Sequence, residues 1–479
     1  MVNLNTILTI IFVPILGAFL LPFAGYLSVR LRNFLALGLV AVSFLGSLSL
    51  IPQALSQSPL SFSLHLPFIN FNFSADALAV FMAMVSSLTG LIIVLYSFDY
   101  ISHYQNQNEY YVMVVLFLGS MMGIIYSANL IFLYIFWEIT AICSWRLIGF
   151  FRAENDVLRA DKAFLVTFLG AIIMLIGFII IYQQTGSFDL AVCKEYFLAS
   201  SLPNIAVLLI LAGILSKSAT LPFQTWLPDA GVAPSPVTAL LHAAVLVKIG
   251  VYVYARLFVA TFPIAVFWHA VVPWVAAISA IIAAAAALIE TDFKRIVAYS
   301  TISQIGFIFF GLSIGNEVGI VGGLLYILMH GLAKAGLFLC AGIVEQNTHT
   351  KDITRLGGLI RTMPVTAMAF LFCAFSVMGI PPFGGFFSKL MVFMGGVQSG
   401  QFLVSFVFLI GAFMTVIYLF RLFRMVFLGE AKISAKEGSR TMVFSVAMLA
   451  FLSLLAGILV MYPARFALAA VKQMLGLAQ

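Results

Sequence analysis

Five charged side chains stand inside stretches that are otherwise apolar: Glu138, Lys217, Lys248, Lys334 and Lys389. A charge at the centre of a bilayer costs about 2.5–3.5 kcal/mol on insertion scales, so each of them demands a reason. Two lysines have an imidazole nearby: His242 lies six residues before Lys248, and His330 lies four before Lys334. Carboxylate, amine and imidazole are the groups that take up and release protons, and a shielded set of them points to proton or cation transfer. Spacing sorts the set. His330 and Lys334 share a helical face, which Tyr326 extends by one turn. Six steps of about 100° put His242 and Lys248 on different faces, so one is expected to line a path while the other packs. Glu138, in Ile-Phe-Trp-Glu-Ile-Thr-Ala, calls for a cation beside it, and lysines on other spans are the nearest candidates by depth. A blander account makes one or two of these charges, Lys389 foremost, structural bridges or snorkelling side chains. It also makes His330 a hydrogen-bonded core residue. It does not cover all five charges together.

The elements that carry them are apolar helices. Hydrophobic residues fill 63% of the 479 positions and charged residues 9%, against roughly a quarter charged in soluble domains. A crossing helix needs about 20 apolar residues, and fourteen runs qualify. They lie near 5–25, 33–53, 77–98, 109–127, 129–150, 163–183, 203–222, 237–260, 265–289, 296–314, 318–344, 363–380 continuing to 398, 402–427 and 441–462. The first lacks a basic flank and is too long for a cleaved signal. Segment 57–76 alternates weakly and reads as a short external hairpin. Pro222 should break the seventh run, leaving 222–236 re-entrant or interrupted, and Gly379-Ile-Pro-Pro-Phe-Gly-Gly should break the twelfth. Broken helices at mid-membrane present carbonyls and helix ends to an ion. Pro222-Phe223 and Pro382-Phe383 are 160 residues apart, five spans, so an internal repeat would be inverted in the membrane. Counting back 160 from Lys389 gives Asp229, so the charges do not repeat residue for residue.

Basic residues set the orientation. Arg30, Arg32, Arg146, Arg152, Arg159, Lys162, Lys294, Arg295, Lys351, Arg355, Arg361, Arg421, Arg424, Lys432, Lys436 and Arg440 follow odd-numbered spans. Lys194, Arg256, Arg465 and Lys472 follow even-numbered spans or lie in the tail. Both termini are therefore expected on the non-cytoplasmic side of a cell (inner) membrane. The net charge of +7 is thereby a topology signal, and a nucleic-acid partner has little left to explain. Cys143, Cys193, Cys340 and Cys373 are scattered, which argues against a zinc or iron–sulfur site. No flavin, quinone or haem motif is present, so no cofactor, no metal and no redox chemistry of its own is expected.

The motifs together resemble a family: the antiporter-like, proton-conducting subunits shared by respiratory complex I, Mrp cation/proton antiporters and membrane-bound hydrogenases. They are Trp137-Glu138 with Cys143-Ser144; Lys217-Ser-Ala-Thr-Leu-Pro-Phe-Gln-Thr-Trp-Leu-Pro-Asp229-Ala; Pro234-Ser-Pro-Val-Thr-Ala-Leu-Leu-His242-Ala-Ala; Thr291-Asp-Phe-Lys-Arg-Ile-Val-Ala-Tyr-Ser-Thr-Ile-Ser-Gln304-Ile-Gly; His330-Gly-Leu-Ala-Lys334-Ala; and Phe387-Ser388-Lys389. The resemblance implies an all-α integral membrane fold of fourteen helices. Residues 1–479 would form one polytopic domain with inverted five-helix repeats over about 109–260 and 265–427. It also implies the roles. Glu138 would pair with Lys217, Lys248 would be the central relay with His242 beside it, His330 and Lys334 a second relay, and Lys389 the terminal group. Separation of the first pair would send a proton along this line. The energy would come from a redox module, as in an NADH:quinone oxidoreductase or hydrogenase, or from an opposing gradient. The implied partners are other membrane subunits, further antiporter-like ones among them, the lipid bilayer, and protons with sodium as the alternative ion. Arg146 departs from the family pattern; it would compete for Glu138 or snorkel to the cytoplasmic face. The chain ends soon after its last span, which fits a mid-array, hydrogenase-type or antiporter subunit better than the distal subunit of complex I. The rivals are a self-sufficient cation/proton exchanger and an inert membrane scaffold.

Overall fold

Apolar runs of this length satisfy their backbone in lipid by closing hydrogen bonds within one helix. The computed structural model describes residues 5–56, 60–65, 70–433 and 435–477. Helices α1 (Asn5–Ala18) and α2 (Leu21–Leu27) meet at a 51° bend. The first apolar run, expected near 5–25, is a bent pair, because Pro22 in the first turn of α2 cannot donate back across the joint. After α3 (Val29–Ser49) and the short α4 (Ile51–Ala54), β1 (Leu60–His65) and β2 (Asn70–Ala75) pair antiparallel with Phe62 opposite Phe73. This is the expected hairpin; residues 57–59 and 66–69 lie outside the described residues.

The helices α5 (Ala77–Tyr100), α6 (Gln107–Tyr126), α7 (Leu130–Ile148), α8 (Glu154–Thr185), α9 (Leu190–Phe197) and α10 (Asn204–Lys217) follow. Beyond α11 (Trp226–Asp229), one long helix is assembled from α12 (Ser235–Ala239), a π segment at Leu240–Ala244, α13 (Leu246–Tyr254) and a second π segment at Ala255–Val259. Then come α14 (Trp268–Ile289), α15 (Phe293–Ser313), α16 (Glu317–Thr348), α17 (Pro364–Met378), α18 (Gly384–Gln398), α19 (Phe402–Phe427), α20 (Arg440–Ile458) and α21 (Met461–Leu475). Among the described residues, eleven helices are long and apolar enough to cross a membrane, or twelve counting the bent pair; α10 and α17 are shorter apolar helices.

Those two short helices are the ones the prolines were expected to break. Helix α10 stops at Lys217, five residues earlier than Pro222. Ala219 turns left-handed (φ +50°), and the Thr220 amide donates back to Leu215 O at 3.0 Å. The unwinding begins upstream because a proline also drives its predecessor, Leu221, out of helical conformation. Helix α17 ends on Gly379 at φ +82°, a conformation open to glycine without cost. Leu221–Pro222 and Pro381–Pro382 are both cis.

Burial separates the helices. The α12–α13 helix, α15 and α16 are enclosed almost all round, and they carry His242, Lys248, His330 and Lys334. Helices α8 and α19 turn Leu165, Leu169, Ile176, Phe406, Leu409 and Phe413 outward, as lipid-facing surface requires. Small residues bring the inner helices together. A Cβ on Gly250 of α13 would sit 2.7 Å from Ile214 O of α10, so these backbones touch where Lys217 and Lys248 reside. Gly250→Ala should therefore cost about 1–3 kcal/mol, read as a lower unfolding temperature in detergent. Gly38→Ala, with nothing within 4 Å of the new methyl, should leave that temperature unchanged; equal effects would refute the close contact.

Candidate functional site

Glu138 projects from the middle of α7, and its buried Oε1 has no hydrogen-bond partner. Lys217, the last residue of α10, is fully buried. Its Nζ donates to Trp137 O at 3.2 Å and stands 5.1 Å from the Trp137 ring centre. The amine thus leans on the backbone beside Glu138 rather than in an ion pair with its carboxylate. Arg146 takes no part: it pairs with Glu109, which also receives Arg152 Nη2 at 2.7 Å.

The next groups sit on the interrupted helix. Lys248 Nζ lies 2.9 Å from His330 Nδ1 of α16, both buried. The His242 ring packs on Phe338 of the same helix with centres 4.4 Å apart, and neither ring nitrogen has a partner. His242 and Lys248 therefore both face α16, which corrects the expectation of different faces. The six steps between them do not advance by 100° each. Leu240–Ala244 is a wider π turn, and Val245 (φ −128°, ψ −75°) leaves the helical region, so the helix is rewound between the two. Along α16, Tyr326, His330, Lys334 and Phe338 recur every four residues and form the facing stripe.

Beyond His330 the polar contacts continue. Lys334 Nζ donates to Ser300 Oγ at 2.6 Å and to Val297 O at 3.1 Å. Tyr418 OH of α19 donates to the same Ser300 Oγ at 2.7 Å. Gln304 Nε2 reaches Thr415 Oγ1 at 3.1 Å and Tyr418 OH at 3.4 Å, while Tyr326 OH donates to Gln304 Oε1 at 2.6 Å. Lys389 Nζ lies 5.4 Å from the Tyr326 ring centre and donates to Val377 O, in the last turn of α17, at 2.7 Å. The reading of the sequence missed Thr415 and Tyr418 as members of this line and saw Ser300 and Gln304 only inside a motif. Their signal was available: hydroxyl and amide side chains in apolar runs, with Thr415 and Tyr418 three apart on one face.

At one end of the molecule Lys294, counted from the sequence as a loop charge, is buried in the first turn of α15. Its Nζ is 2.6 Å from Glu345 Oε2 and donates to Ala233 O at 3.1 Å. Ser235 Oγ lies 3.4 Å from both Glu345 Oε2 and Tyr100 OH. A cavity of about 690 Å³ opens there, with Asp99, His103, Tyr104 and His349 also in its wall. Ser235 stands two turns from His242 on the same helix.

Both the sequence and the fold have relatives among known proteins. Residues 127–415 match the membrane family described as NADH:quinone oxidoreductase/Mrp antiporter. The chain is 37% identical over 350 residues to an Na(+)/H(+) antiporter subunit of Alkalihalophilus pseudofirmus, an alignment covering 68% of this chain and 43% of that one. It is 33% identical over 392 residues to the chloroplastic NAD(P)H-quinone oxidoreductase subunit 5 of Physcomitrium patens, covering 78% and 54%. The chain thus spans about half the length of these curated relatives. In fold it is similar to a chain of the Mrp complex from Dietzia sp. DQ12-45-1b, with a TM-score of 0.90 at 22% identity over 99% of this chain and 98% of that one.

Gln304 is the junction of the buried hydroxyl network. Gln304→Leu should cost about 1–3 kcal/mol, because Tyr326 and Tyr418 each lose a partner, whereas Tyr326→Phe should cost about 0.5–1.5 kcal/mol. Thermal unfolding of the two variants in detergent measures the difference; equal midpoints would show that the amide is not the junction.

Proposed function

The chain belongs to the NADH:quinone oxidoreductase/Mrp antiporter membrane family, and on that premise we propose that it is an ion-translocating, antiporter-like subunit of a multi-subunit membrane complex. It carries protons, with sodium the alternative ion, along Glu138, Lys217, His242, Lys248, His330, Lys334 and Lys389. The observation that carries the reading is the run of direct contacts from Lys248 to His330 and from Lys334 through Ser300, Tyr418 and Gln304 to Tyr326, against which Lys389 rests. Buried charges joined in this way are partly solvated by one another, which isolated charges in lipid are not.

Separation of the Glu138 and Lys217 charges starts the transfer. Lys217, losing the carboxylate's field, gives up its proton toward Lys248. The other groups hand protons on through buried water and hydroxyls, and Lys389 is the terminal donor. The chain holds no redox centre in this reading. Energy reaches it from a neighbouring redox module or an opposing gradient, through other membrane subunits that include further antiporter-like ones. Both named relatives are themselves subunits, which favours this over a self-sufficient exchanger; an inert scaffold leaves the connected buried charges without a purpose.

The finer architecture belongs to the same proposal. The chain crosses a cell membrane fourteen times, with α10–α11 and α17–α18 as interrupted spans, and both termini lie outside the cytoplasm. Residues of about 109–260 and 265–427 are inverted repeats. The support is in the recurrences: α8 and α16 are each 32 residues long, beginning at Glu154 and Glu317 and followed by left-handed Gly186 and His349. The backbone bridges Asn129–Asp189 and Asp292–Asp352 each span the same sequence distance and tie down matching helix caps.

Lys217→Ala and Glu138→Ala should each slow ion pumping by about 100-fold in proteoliposomes holding the whole complex, with assembly intact on native gels. Pumping at the wild-type rate by an assembled variant would make that residue structural. A cysteine replacing Lys432, which is exposed, should react with an impermeant thiol reagent only from the cytoplasmic side; labelling from outside would reverse the orientation.

A further inference from the structure

The helix that carries Lys248 continues with a tyrosine and an arginine at four-residue spacing: Lys248, Tyr252, Arg256. On a helix these stack on one face, one turn apart. Arg256 lies in the second π segment and is almost fully buried, although its sequence position suggested a loop. Its guanidinium makes a two-pronged pair with Asp76, the cap of α5, with Nη2 donating to Oδ1 at 2.8 Å and Nη1 to Oδ2. Its Nε donates to Tyr252 OH at 3.1 Å. Tyr252 OH in turn donates to Ile125 O. The Asp76–Arg256 pair forms the wall of a cavity of about 480 Å³ on the face that carries the β-hairpin. Asn72, Ser74, Ser127 and Asp189 share that wall. Asn72 Oδ1 and the buried Ser127 Oγ have no protein partner there, and polar atoms so placed are satisfied by water.

We infer that Asp76, Arg256 and Tyr252 are a gate between this cavity and Lys248, which makes the hairpin face the exit, or entrance, of the central relay. The inference rests on the relay reading given above. In the conformation described, the gate is shut. The Tyr252 hydroxyl gives its one hydrogen to Ile125 O and is held there by Arg256 Nε, so it has no hydrogen to pass to cavity water. When Arg256 leaves the hydroxyl for Asp76 and water, the O–H is free to turn from Ile125 O toward the cavity. Tyr252 then accepts a proton from the Lys248 ammonium side as it passes its own hydrogen to cavity water. Lys248 ends as the free amine, Tyr252 ends neutral, and the water carries the proton away. Asp76 keeps the arginine from taking up a position that would place an uncompensated positive charge in the path.

A clamp holding α5 to the end of the interrupted helix would use the same ion pair but would not need the tyrosine hydroxyl. The test uses the whole complex in proteoliposomes. Tyr252→Phe keeps the ring and the ion pair, and should slow pumping at least about tenfold. Arg256→Lys keeps the charge beside Asp76 but removes Nε from the hydroxyl, and should raise passive proton leak several-fold. Ser127→Cys in an otherwise unaltered chain should react with an impermeant thiol reagent from the hairpin face, and faster when Arg256→Lys is added. Wild-type pumping by Tyr252→Phe, or no labelling of the cysteine, overturns the gate. Lys248→Ala separates the two readings. If it stops pumping while Tyr252→Phe does not, the gate is wrong and the relay stands; if it pumps normally, the relay itself is wrong.

Discussion

Four lysine amines sit where bulk water does not reach, and the rest of the structure is arranged around solvating them. Lys217, Lys248 and Lys334 are fully buried and Lys389 nearly so. An ammonium removed from water loses several kcal/mol even after the protein relaxes, and an apolar helix offers in return only the second lone pairs of carbonyls that already hold an amide. The chain meets this demand with carbonyls and hydroxyls. Lys217, Lys334 and Lys389 each donate to a backbone carbonyl, of Trp137, Val297 and Val377 respectively, and Lys248 meets an imidazole. Val377 lies in the last turn of α17, where the break leaves carbonyls unclaimed. Lys217 ends α10, and a cation at a helix C-terminus is favoured by the helix dipole.

Irregular backbone is therefore concentrated on the helices that carry charge. The interruption after Lys217, the left-handed turn at Gly379 and the π segments holding His242 and Arg256 each widen or end a helix beside a polar group. In lipid such defects would expose unpaired backbone groups; the π segments are enclosed by protein, whereas Pro222, Pro381 and Pro382 at the two breaks are exposed. The outer helices α8 and α19 keep regular hydrogen bonding over long spans and turn large apolar side chains outward. The π-containing α12–α13 helix lies in the interior beside the regular α15 and α16, while the lipid-facing α8 and α19 are regular throughout.

Much of this was legible in the chain because lipid imposes one-dimensional rules. Length and apolarity placed the runs, prolines placed the two breaks, and buried charge marked Glu138 and the lysines. What escaped was carried by geometry or by neutral atoms. A π turn leaves no mark on residue type, so the rotation between His242 and Lys248 was misjudged. Ser300, Gln304, Thr415 and Tyr418 carry no charge and did not stand out from the apolar background. Lys294 and Arg256 lie near span ends and were counted as loop residues, yet each is buried on an acid from another helix, Glu345 or Asp76. The bend between α1 and α2 depended on one proline in a run whose hydropathy never falls.

The same network also limits what it can conduct. A proton line connected at every step from face to face would discharge the gradient that the proposed complex works against, so a functional relay must be incomplete at any instant. The described conformation has that character. The segment from Lys334 to Tyr326 is joined by direct hydrogen bonds, and Lys248 is joined to His330. Glu138 Oε1, both nitrogens of His242 and His330 Nε2 are buried with no protein partner. In a relay those open positions have a use. They are where a water or a rotated side chain completes one step, and a step completed in one place can be matched by a step opened in another. Ions can be moved against a gradient only by a path whose continuity is switched, and a relay of separate groups permits that where a continuous chain of bonds does not.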